Sequence, residues 1–355
     1  MRIAAALLVA LVLSAPVAAK RVVPRGFFGV SAAGPMFDPG RNLKPEFDRM
    51  VSVGVESVIT EFAWSVEQPQ PGTPPDFAHT DPMVLQAALH HLPVMAITVY
   101  APPWGAVDPS NLASPPKAKP YAAYLRAAVG RYGPRGSFWR AHPRVPRDPV
   151  RDWQIWNEPS HAGFWSMQPF AKRYVAVLRA ARRAIKGADP GARVILAGLV
   201  YDSWTQLREL YAAGAKGLFD AISLHPYTLE LKNVIEVLRR DRAVLDAHGA
   251  RHVPMLVTEL SWPSSVGHTQ SRYGYEVTEK GQASKLRAAF PRLAALRHRL
   301  GLQRVYWYSW LTADADPVYP FDYAGLRKLT PRGPKSKPAY YAYREAALRL
   351  EGRRT

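Results

Sequence analysis

The stretch Val94-Met95-Ala96-Ile97 is an unbroken apolar run. Such a run is typical of a parallel strand covered on both faces, because a strand with one solvent face alternates apolar and polar residues. Other short apolar runs recur along the chain. We predict strands over residues 26–30, 57–62, 94–99, 152–156, 193–199, 221–224, 255–258 and 305–310.

Amphipathic helical patterns lie between these strands. Their apolar residues recur on one helical face over residues 121–132, 170–185, 234–245 and 283–300. Strands that alternate with helices form parallel sheets, and eight such units in one chain close into a barrel. A doubly wound open sheet is the alternative, but residues 30–34 do not form the glycine-rich phosphate turn typical of that fold. We therefore predict an α/β chain that folds as a (β/α)8 TIM barrel in a single domain.

The first 19 residues have the pattern of a secretory signal peptide. Arg2 precedes an apolar run over residues 3–13, and small residues at 17–19 precede a cleavage site at Lys20. An uncleaved anchor helix is the alternative, but this run is too short to span a bilayer. We therefore predict a secreted or otherwise extracytoplasmic protein of residues 20–355, without a transmembrane segment and with a basic C-terminal tail.

Composition limits the chemistry and the partners. The chain has no cysteine, which excludes disulfides, thiolate metal sites and cysteine nucleophiles. Lys and Arg total 47 against 28 Asp and Glu, a net charge of +19. No nucleic-acid-binding motif accompanies this charge, so we expect no nucleic-acid partner. The charge indicates either solvated helix surfaces or attraction to an anionic polymer, such as an acidic polysaccharide or an envelope surface.

Two glutamates stand where two of the predicted strands end. Glu158 follows the fourth strand, directly after Asn157, and Glu259 follows the seventh strand. Active sites of (β/α)8 barrels lie at the carboxyl ends of the strands, so the two carboxylates can face each other across the mouth. Cleavage of a glycosidic bond needs such a pair, one protonated to assist the leaving oxygen and one ionised to attack the sugar or to activate water.

Aromatic side chains and a histidine follow other strand ends. His225 and Tyr227 come directly after the sixth strand. Flat aromatic rings offer apolar faces to the C–H faces of sugars, although tryptophan is also a common core residue. We predict that the following aromatic residues contact carbohydrate: Trp64, Tyr100, Trp104, Trp262, Trp307 and Trp310.

The segment 156–159 (Trp-Asn-Glu-Pro), together with Glu259, resembles the paired-glutamate signature of the clan of retaining glycoside hydrolases with (β/α)8 barrels. Within that clan the chain is most similar to glycoside hydrolase families 39 and 5. Residues 62–69 are similar to a second-strand segment of family 39, and residues 225–227 (His-Pro-Tyr) match a sixth-strand motif of family 5. The resemblance extends over nearly all of residues 20–355, which it identifies as a catalytic domain.

The resemblance implies a role for each residue of the pair and its neighbours. Glu158 would be the general acid/base, and Glu259 would be the nucleophile. Asn157 would hydrogen-bond the sugar 2-hydroxyl, Tyr227 would donate to the nucleophile, and His225 would line the same subsite.

Trp310 matches the eighth-strand tryptophan that forms the floor of this subsite, but two positions depart from the pattern of the families. Relatives commonly carry an arginine on the second strand that supports the nucleophile, and residues 59–61 (Ile-Thr-Glu) hold none. Family 5 often has a histidine where this chain has Tyr100. Without the arginine, Glu259 would be more basic. We expect Glu61 to pair with a surface arginine rather than to add a carboxylate to the cleft.

Three functions remain open at this level. A secreted retaining glycoside hydrolase acting on a poly- or oligosaccharide accounts for the two glutamates. A non-catalytic barrel that binds polysaccharide or the cell envelope would account for the charge and for the missing arginine. A metal-dependent hydrolase would need clustered ligands at strand ends, and His225 stands alone in the sequence, so we expect no metal and no cofactor. The sequence predicts neither the sugar nor the oligomeric state.

Overall fold

Eight parallel strands form a closed barrel, in which the first strand pairs with both the second and the eighth. The computed structural model describes residues 20–354, and it confirms the predicted (β/α)8 fold. The predicted signal peptide at 1–19 lies outside the described residues. The strands are β1 (Phe28–Ser31), β2 (Ser57–Ala63), β3 (Val94–Val99), β4 (Asp152–Ile155), β5 (Arg193–Val200), β6 (Ala221–His225), β7 (Met255–Leu260) and β8 (Leu302–Trp307).

Helices cover the outside of the barrel and connect its strands. They are α1 (Lys44–Ser52), α2 (Trp64–Glu67), α3 (Asp81–Leu89), α4 (Ala118–Tyr132), α5 (Ser137–Ala141), α6 (Ala171–Ala188), α7 (Ser203–Ala212), α8 (Leu231–Ala247), α9 (Glu279–Leu300) and α10 (Pro338–Leu350). A small sheet follows β8, formed by β9 (Leu311–Thr312), β10 (Arg327–Lys328) and β11 (Lys335–Ser336). Within residues 20–354, no helix has the length and apolar character needed to cross a membrane.

The eighth strand differs most from its predicted bounds. It begins at Leu302 and ends at Trp307, whereas the apolar pattern predicts a start at 305 and an end at 310. Gly301, with a φ of 66°, ends α9 in the left-handed conformation, and the chain enters β8 at once. The strand then passes through Gln303 and Arg304, two polar residues that an apolar pattern does not detect. The strand therefore ends at Trp307, and Trp310 lies beyond it.

Side chains from alternate strand positions fill the barrel interior. Ile59, Met95, Ile97, Leu256 and Tyr306 belong to this inner cluster and are all buried. Because successive strand residues point to opposite faces, their neighbours point outward and pack against the helices. The filled interior makes the barrel a solid platform, so a ligand can bind only above it, at the carboxyl ends of the strands.

Candidate active site

A cavity of about 220 Å³ opens at the carboxyl ends of the barrel strands. This is the end at which barrel enzymes place their chemistry. Six of the eleven predicted site residues line it: Asn157, Glu158, His225, Tyr227, Glu259 and Tyr100. The structure therefore brings together both predicted catalytic glutamates and four of the predicted binding residues.

Glu158 enters the cavity from an irregular turn directly after β4. Trp156 and Glu158 have positive φ values of 67° and 41°, a conformation that larger residues adopt only where their surroundings hold them. The Trp156 Nε1–H donates to the carbonyl of Phe164 at 2.8 Å and ties the turn to its loop. Asn157 forms a bridge with Gly198 on the neighbouring strand. The backbone itself thus fixes the position of the Glu158 carboxylate.

Glu259 on β7 accepts a hydrogen bond from a tyrosine that follows the neighbouring strand, β6. The Tyr227 hydroxyl donates to Glu259 Oε2 at 2.8 Å, the contact that the resemblance implies. Tyr227 is itself nearly buried and stacks on Tyr275, with ring centroids 5.6 Å apart. Since a hydrogen bond donated to a carboxylate favours the charged form, Tyr227 favours an ionised Glu259.

His225 joins the two glutamates into one network. Its Nδ1 lies 2.6 Å from Glu158 Oε1 and 3.5 Å from Glu259 Oε2. The expectation that His225 stands alone is therefore wrong, because the ends of β4, β6 and β7 meet around its ring. Gly198 makes room for this ring, since a Cβ at that position would overlap His225 Nε2.

Burial and charge shift the protonation equilibria of this network. Burial raises the pKa of Glu259, the charge of His225 lowers it, and the charge of Glu158 raises it, with a net upward shift. Burial lowers the pKa of His225, but the charge of Glu259 and the hydrogen bond with Glu158 outweigh burial and raise it. The charges of His225 and Glu158 thus act on the pKa of Glu259 in opposite directions, and burial decides the net upward shift.

The same three side chains also have the composition of a metal site, since each offers one ligand atom within 4.8 Å of the others. However, the ligand atom of His225 is Nδ1, which already contacts both carboxylates. A metal ion would have to displace the proton on this atom. In this structure the contacts among the three side chains are those of a hydrogen-bonded network.

Glu61 is a third carboxylate in the cavity. It lies on β2 two residues after Ile59, whose side chain fills the barrel interior, and alternation places both on the inward face. The expectation that Glu61 pairs with a surface arginine is wrong, because within residues 20–354 neither Arg nor Lys contacts it. Burial raises the pKa of Glu61 to about 7. The period-two pattern from Ile59 was the sequence signal for this position.

The tryptophans of the eighth strand do not line the cavity, and Tyr308 does. Trp307 is fully buried and donates to a backbone carbonyl at 3.1 Å, and Trp310 is fully buried and donates to Glu46 at 2.7 Å. The prediction that these two tryptophans contact sugar is wrong. Since Tyr306 fills the barrel interior, alternation places Tyr308 on the inward face and Trp307 on the outward one.

Three further tryptophans that we predicted to bind sugar also lie outside the cavity. Trp64 and Trp262 are fully buried, and their indole N–H groups donate to the Gln68 side chain at 2.9 Å and to the Thr228 carbonyl at 2.8 Å. Trp104 is half-buried and packs edge-on against Trp64, with ring centroids 5.2 Å apart. The predictions for Trp64 and Trp262 are wrong because both rings serve as core, with their polar N–H groups satisfied by the protein. Trp104 lines a separate surface groove with Lys119 and Tyr124, and its contact with sugar stays a prediction.

Tyrosines form the aromatic wall of the cavity instead. Tyr100 follows β3 and is 36% exposed, and Tyr201 after β5 is 61% exposed. A tyrosine offers both a flat apolar face and a hydroxyl group, which suits a sugar. The other aromatic residues in the wall are Phe164, Tyr227, Tyr273, Tyr275, Tyr308, Tyr319 and Phe321. Most of them lie on long loops without a periodic pattern, so no sequence signal marks them.

The side chains that line the cavity do not contribute to the net positive charge of the chain. Its lining contains three glutamates and two histidines, and no Lys or Arg from the described part of the chain. Many arginines lie on helix surfaces, as Arg239 and Arg240 do on α8, where both pair with Glu236. The net charge therefore gives no support for an acidic polysaccharide in this cavity.

No protein-family model matches the chain, and no curated protein matches it. Solved structures do match. A family 39 glycoside hydrolase from Bacteroides cellulosilyticus superposes with a TM-score of 0.70 and 18% identity, over 92% of this chain and 64% of the other. A β-xylosidase from Caulobacter crescentus superposes with a TM-score of 0.66 and 19% identity, over 92% and 69% of the two chains.

A family 5 glycoside hydrolase from Bifidobacterium longum also superposes, with a TM-score of 0.65 and 14% identity, over 91% of this chain and 79% of the other. At these identities the likeness shows the fold, a (β/α)8 barrel of the kind found in glycoside hydrolases of families 39 and 5. It confirms the predicted resemblance at that level. The chain spans slightly less than two thirds of the family 39 enzyme.

Proposed function

We propose that this protein is a retaining glycoside hydrolase with Glu158 as general acid/base and Glu259 as nucleophile. The observation that carries the proposal is the spacing of the pair, because an oxygen of each carboxylate lies within 4.8 Å of the other. Retaining enzymes hold these groups about 5–5.5 Å apart, whereas inverting enzymes leave about 6.5–9.5 Å for a water molecule. The barrel fold shared with glycoside hydrolases supports the same reaction class.

The reaction would proceed in two displacements. Glu259 attacks the anomeric carbon, and the bond to the leaving oxygen breaks as that oxygen takes the proton of Glu158. Glu158 then removes a proton from water, whose oxygen bonds to the anomeric carbon and releases Glu259. Two inversions at one carbon give net retention of configuration.

The neighbouring residues would position and tune this pair. Tyr227 donates to Glu259 and favours the ionised state that the attack requires. His225 contacts both carboxylates and would hold their separation constant while the proton moves. Asn157 lines the cavity wall beside Glu158 and would hydrogen-bond a sugar hydroxyl.

The reaction would take place outside the cytoplasm, as the segment 1–19 indicates. The test is N-terminal sequencing of the protein recovered from the culture medium or the periplasm. Export predicts a mature chain that begins at Lys20. Recovery of the uncleaved chain from the cytoplasm alone would contradict it.

The test of the activity is a panel of 4-nitrophenyl glycosides and of plant, fungal and bacterial polysaccharides, with sizing of the products. We expect hydrolysis that persists in a metal chelator. Proton NMR of the first product should show the anomeric configuration of the substrate. Product of inverted configuration would contradict the mechanism.

A non-catalytic polysaccharide-binding barrel is the second candidate, and the lack of an arginine at residues 59–61, where the resemblance leads one to expect it, favours this candidate. It predicts glycan affinity without turnover on every member of the panel. It also predicts that a mechanism-based glycosidase inhibitor leaves the protein unlabelled. Turnover of any glycoside that depends on Glu259 would exclude this candidate.

A further inference from the structure

The proposed reaction uses Glu158 and Glu259 and assigns no role to Glu61. Glu61 lies on the inward face of β2 and pairs in register with Ile97 of β3, directly below the cavity wall that contains Tyr100. It is largely removed from water, and in the described part of the chain no cation or hydrogen-bond donor contacts its carboxylate. A buried carboxylate without a partner is unfavourable. A ligand in the cavity could supply that partner.

Aromatic rings surround the same space. Tyr100, Tyr308, Tyr319 and Phe321 line the cavity together with Glu61. The faces of aromatic rings are negative and attract cations, and aromatic cages are a recurring means of binding ammonium groups. Over residues 20–354, the lining combines these rings with three carboxylates and contains neither Lys nor Arg. Such a lining is complementary to a positively charged ligand.

We infer that Glu61 is a specificity-determining residue that pairs with a protonated amino group on the bound sugar. The substrate class is therefore a glycoside of an amino sugar whose amine is free rather than acylated. The ammonium group would donate a charge-assisted hydrogen bond to the Glu61 carboxylate and lie against the tyrosine faces. A neutral hydroxyl in its place would form only the weaker hydrogen bond. This inference rests on the proposed function, because it assigns the sugar to the site of cleavage.

The test compares matched substrates that differ in one group. The probes are the 4-nitrophenyl β-glycosides of glucosamine, N-acetylglucosamine and glucose, with the corresponding galactose series, assayed below the pKa of the amine. We expect kcat/KM to be at least about tenfold higher for the free amine than for the neutral sugar. N-acetylation removes the positive charge and should abolish this preference.

Glu61→Gln keeps the shape of the side chain and removes its charge. We expect this variant to lower the amine-to-neutral ratio of kcat/KM by about ten- to a hundredfold, as the loss of a charge-assisted hydrogen bond would. The control is Glu209→Gln, a change of the same chemistry at an exposed position on α7, which should leave the ratio unchanged. An unchanged ratio in Glu61→Gln, or a wild-type preference for the neutral sugar, would overturn the inference.

Calorimetric titration separates this inference from the proposed function. Glu259→Gln alone and Glu259→Gln with Glu61→Gln are titrated with glucosamine, galactosamine and their neutral counterparts. The inference predicts that an amino sugar binds more tightly, and only where Glu61 is present. Amine preference in binding without any turnover would refute the proposed function alone. Turnover without amine preference would refute the inference alone.

Discussion

The two ends of the barrel differ in whether their carboxylates have arginine partners. At the bottom, Asp152 at the start of β4 accepts hydrogen bonds from Arg193 at 2.6 and 2.7 Å and from Arg304 at 2.7 Å. At the mouth, Glu61, Glu158 and Glu259 share one cavity that no Arg or Lys of residues 20–354 lines. One carboxylate with two guanidinium groups thus contrasts with three carboxylates that have none.

The protonation equilibria at the two ends follow this contrast. Burial alone would raise the pKa of Asp152, but the hydrogen bonds and charges of Arg193 and Arg304 outweigh burial and hold it below its ordinary value. Burial raises the pKa of Glu61 to about 7 because no such partner opposes it. The charge of Asp152 at the bottom is satisfied by the protein and stabilises the fold, whereas the charge of Glu61 at the mouth is left for a ligand to satisfy.

The largest expected effect is at the mouth. Glu259→Gln removes the proposed nucleophile and should lower kcat by about three orders of magnitude or more, since an amide cannot form the covalent intermediate. The urea midpoint of the variant should not fall, because an amide replaces a partly buried charge. Steady-state kinetics and urea unfolding measure the two quantities. Substantial residual activity on a good substrate would show that Glu259 is not the nucleophile.

The next largest expected effect is a loss of folding stability on substitution of Asp152 at the bottom of the barrel. Asp152→Asn leaves two arginines facing a neutral group and should reduce the free energy of unfolding by about 3 kcal/mol. The kcat of the folded variant should stay close to that of the wild type. Asp48→Asn, at an exposed ion pair, is the control and should change stability by less than about 0.5 kcal/mol.

The stabilisation that Asp152 provides through its two arginines should also depend on pH. The pKa of Asp152 is lowered in the folded state, so its contribution is present above the unfolded value of about 3.9 and is lost as the pH falls through the folded value. The gap in unfolding free energy between the wild type and Asp152→Asn should therefore close in acid. A gap that stays constant down to low pH would contradict a role for the ionised carboxylate.

Glu61→Gln should change the free energy of unfolding in the opposite direction to Asp152→Asn. The folded pKa of Glu61 is raised to about 7, so an ionised Glu61 destabilises the fold at higher pH and costs nothing below its unfolded pKa. The variant should be more stable than the wild type by roughly 2 kcal/mol at pH 8 and equally stable near pH 4. Urea unfolding at a series of pH values measures this difference. A loss of stability at pH 8 would show that Glu61 has a partner in the folded protein.

The smallest expected effect comes from Tyr227→Phe, which removes the 2.8 Å hydrogen bond to Glu259. Because that bond lowers the pKa of Glu259, its loss should raise the pKa further. We expect kcat/KM to fall about tenfold at neutral pH, and the acidic limb of the pH–rate profile to move to higher pH. A uniform loss of rate with no shift of the limb would assign Tyr227 a purely structural role.

The sequence predicts much of this contrast and misses part of it. The barrel follows from eight apolar runs, and Glu158, Glu259 and Tyr227 follow from their positions at strand ends. The alternation from Ile59 places Glu61 on the inward face of β2, whereas the abundance of arginine favours surface pairing, and the structure agrees with the alternation. Strand periodicity was thus a better guide to Glu61 than the abundance of arginine.

Most of the aromatic residues that line the cavity could not be predicted from the sequence. Tryptophans at strand ends suggest sugar contacts, yet Trp307 and Trp310 are fully buried, Trp307 on the outward face of β8 and Trp310 three residues beyond its end. Tyr201 and Tyr319 reach the cavity from loops whose paths depend on tertiary packing. No periodic signal in the sequence marks such residues, so only the folded chain reveals the aromatic wall.

The most direct test of the account is covalent trapping. The protein is incubated with a 5-fluoro glycosyl fluoride of the sugar that proves to be its best substrate, a probe that leaves an amino group at carbon 2 in place, and the labelled peptide is identified by mass spectrometry. The account predicts one stoichiometric label, carried by Glu259 and absent from Glu259→Gln. Labelling of a different residue, or turnover of the parent substrate without any trapped intermediate, would contradict the claim that the carboxylate pair at the barrel mouth performs a double displacement.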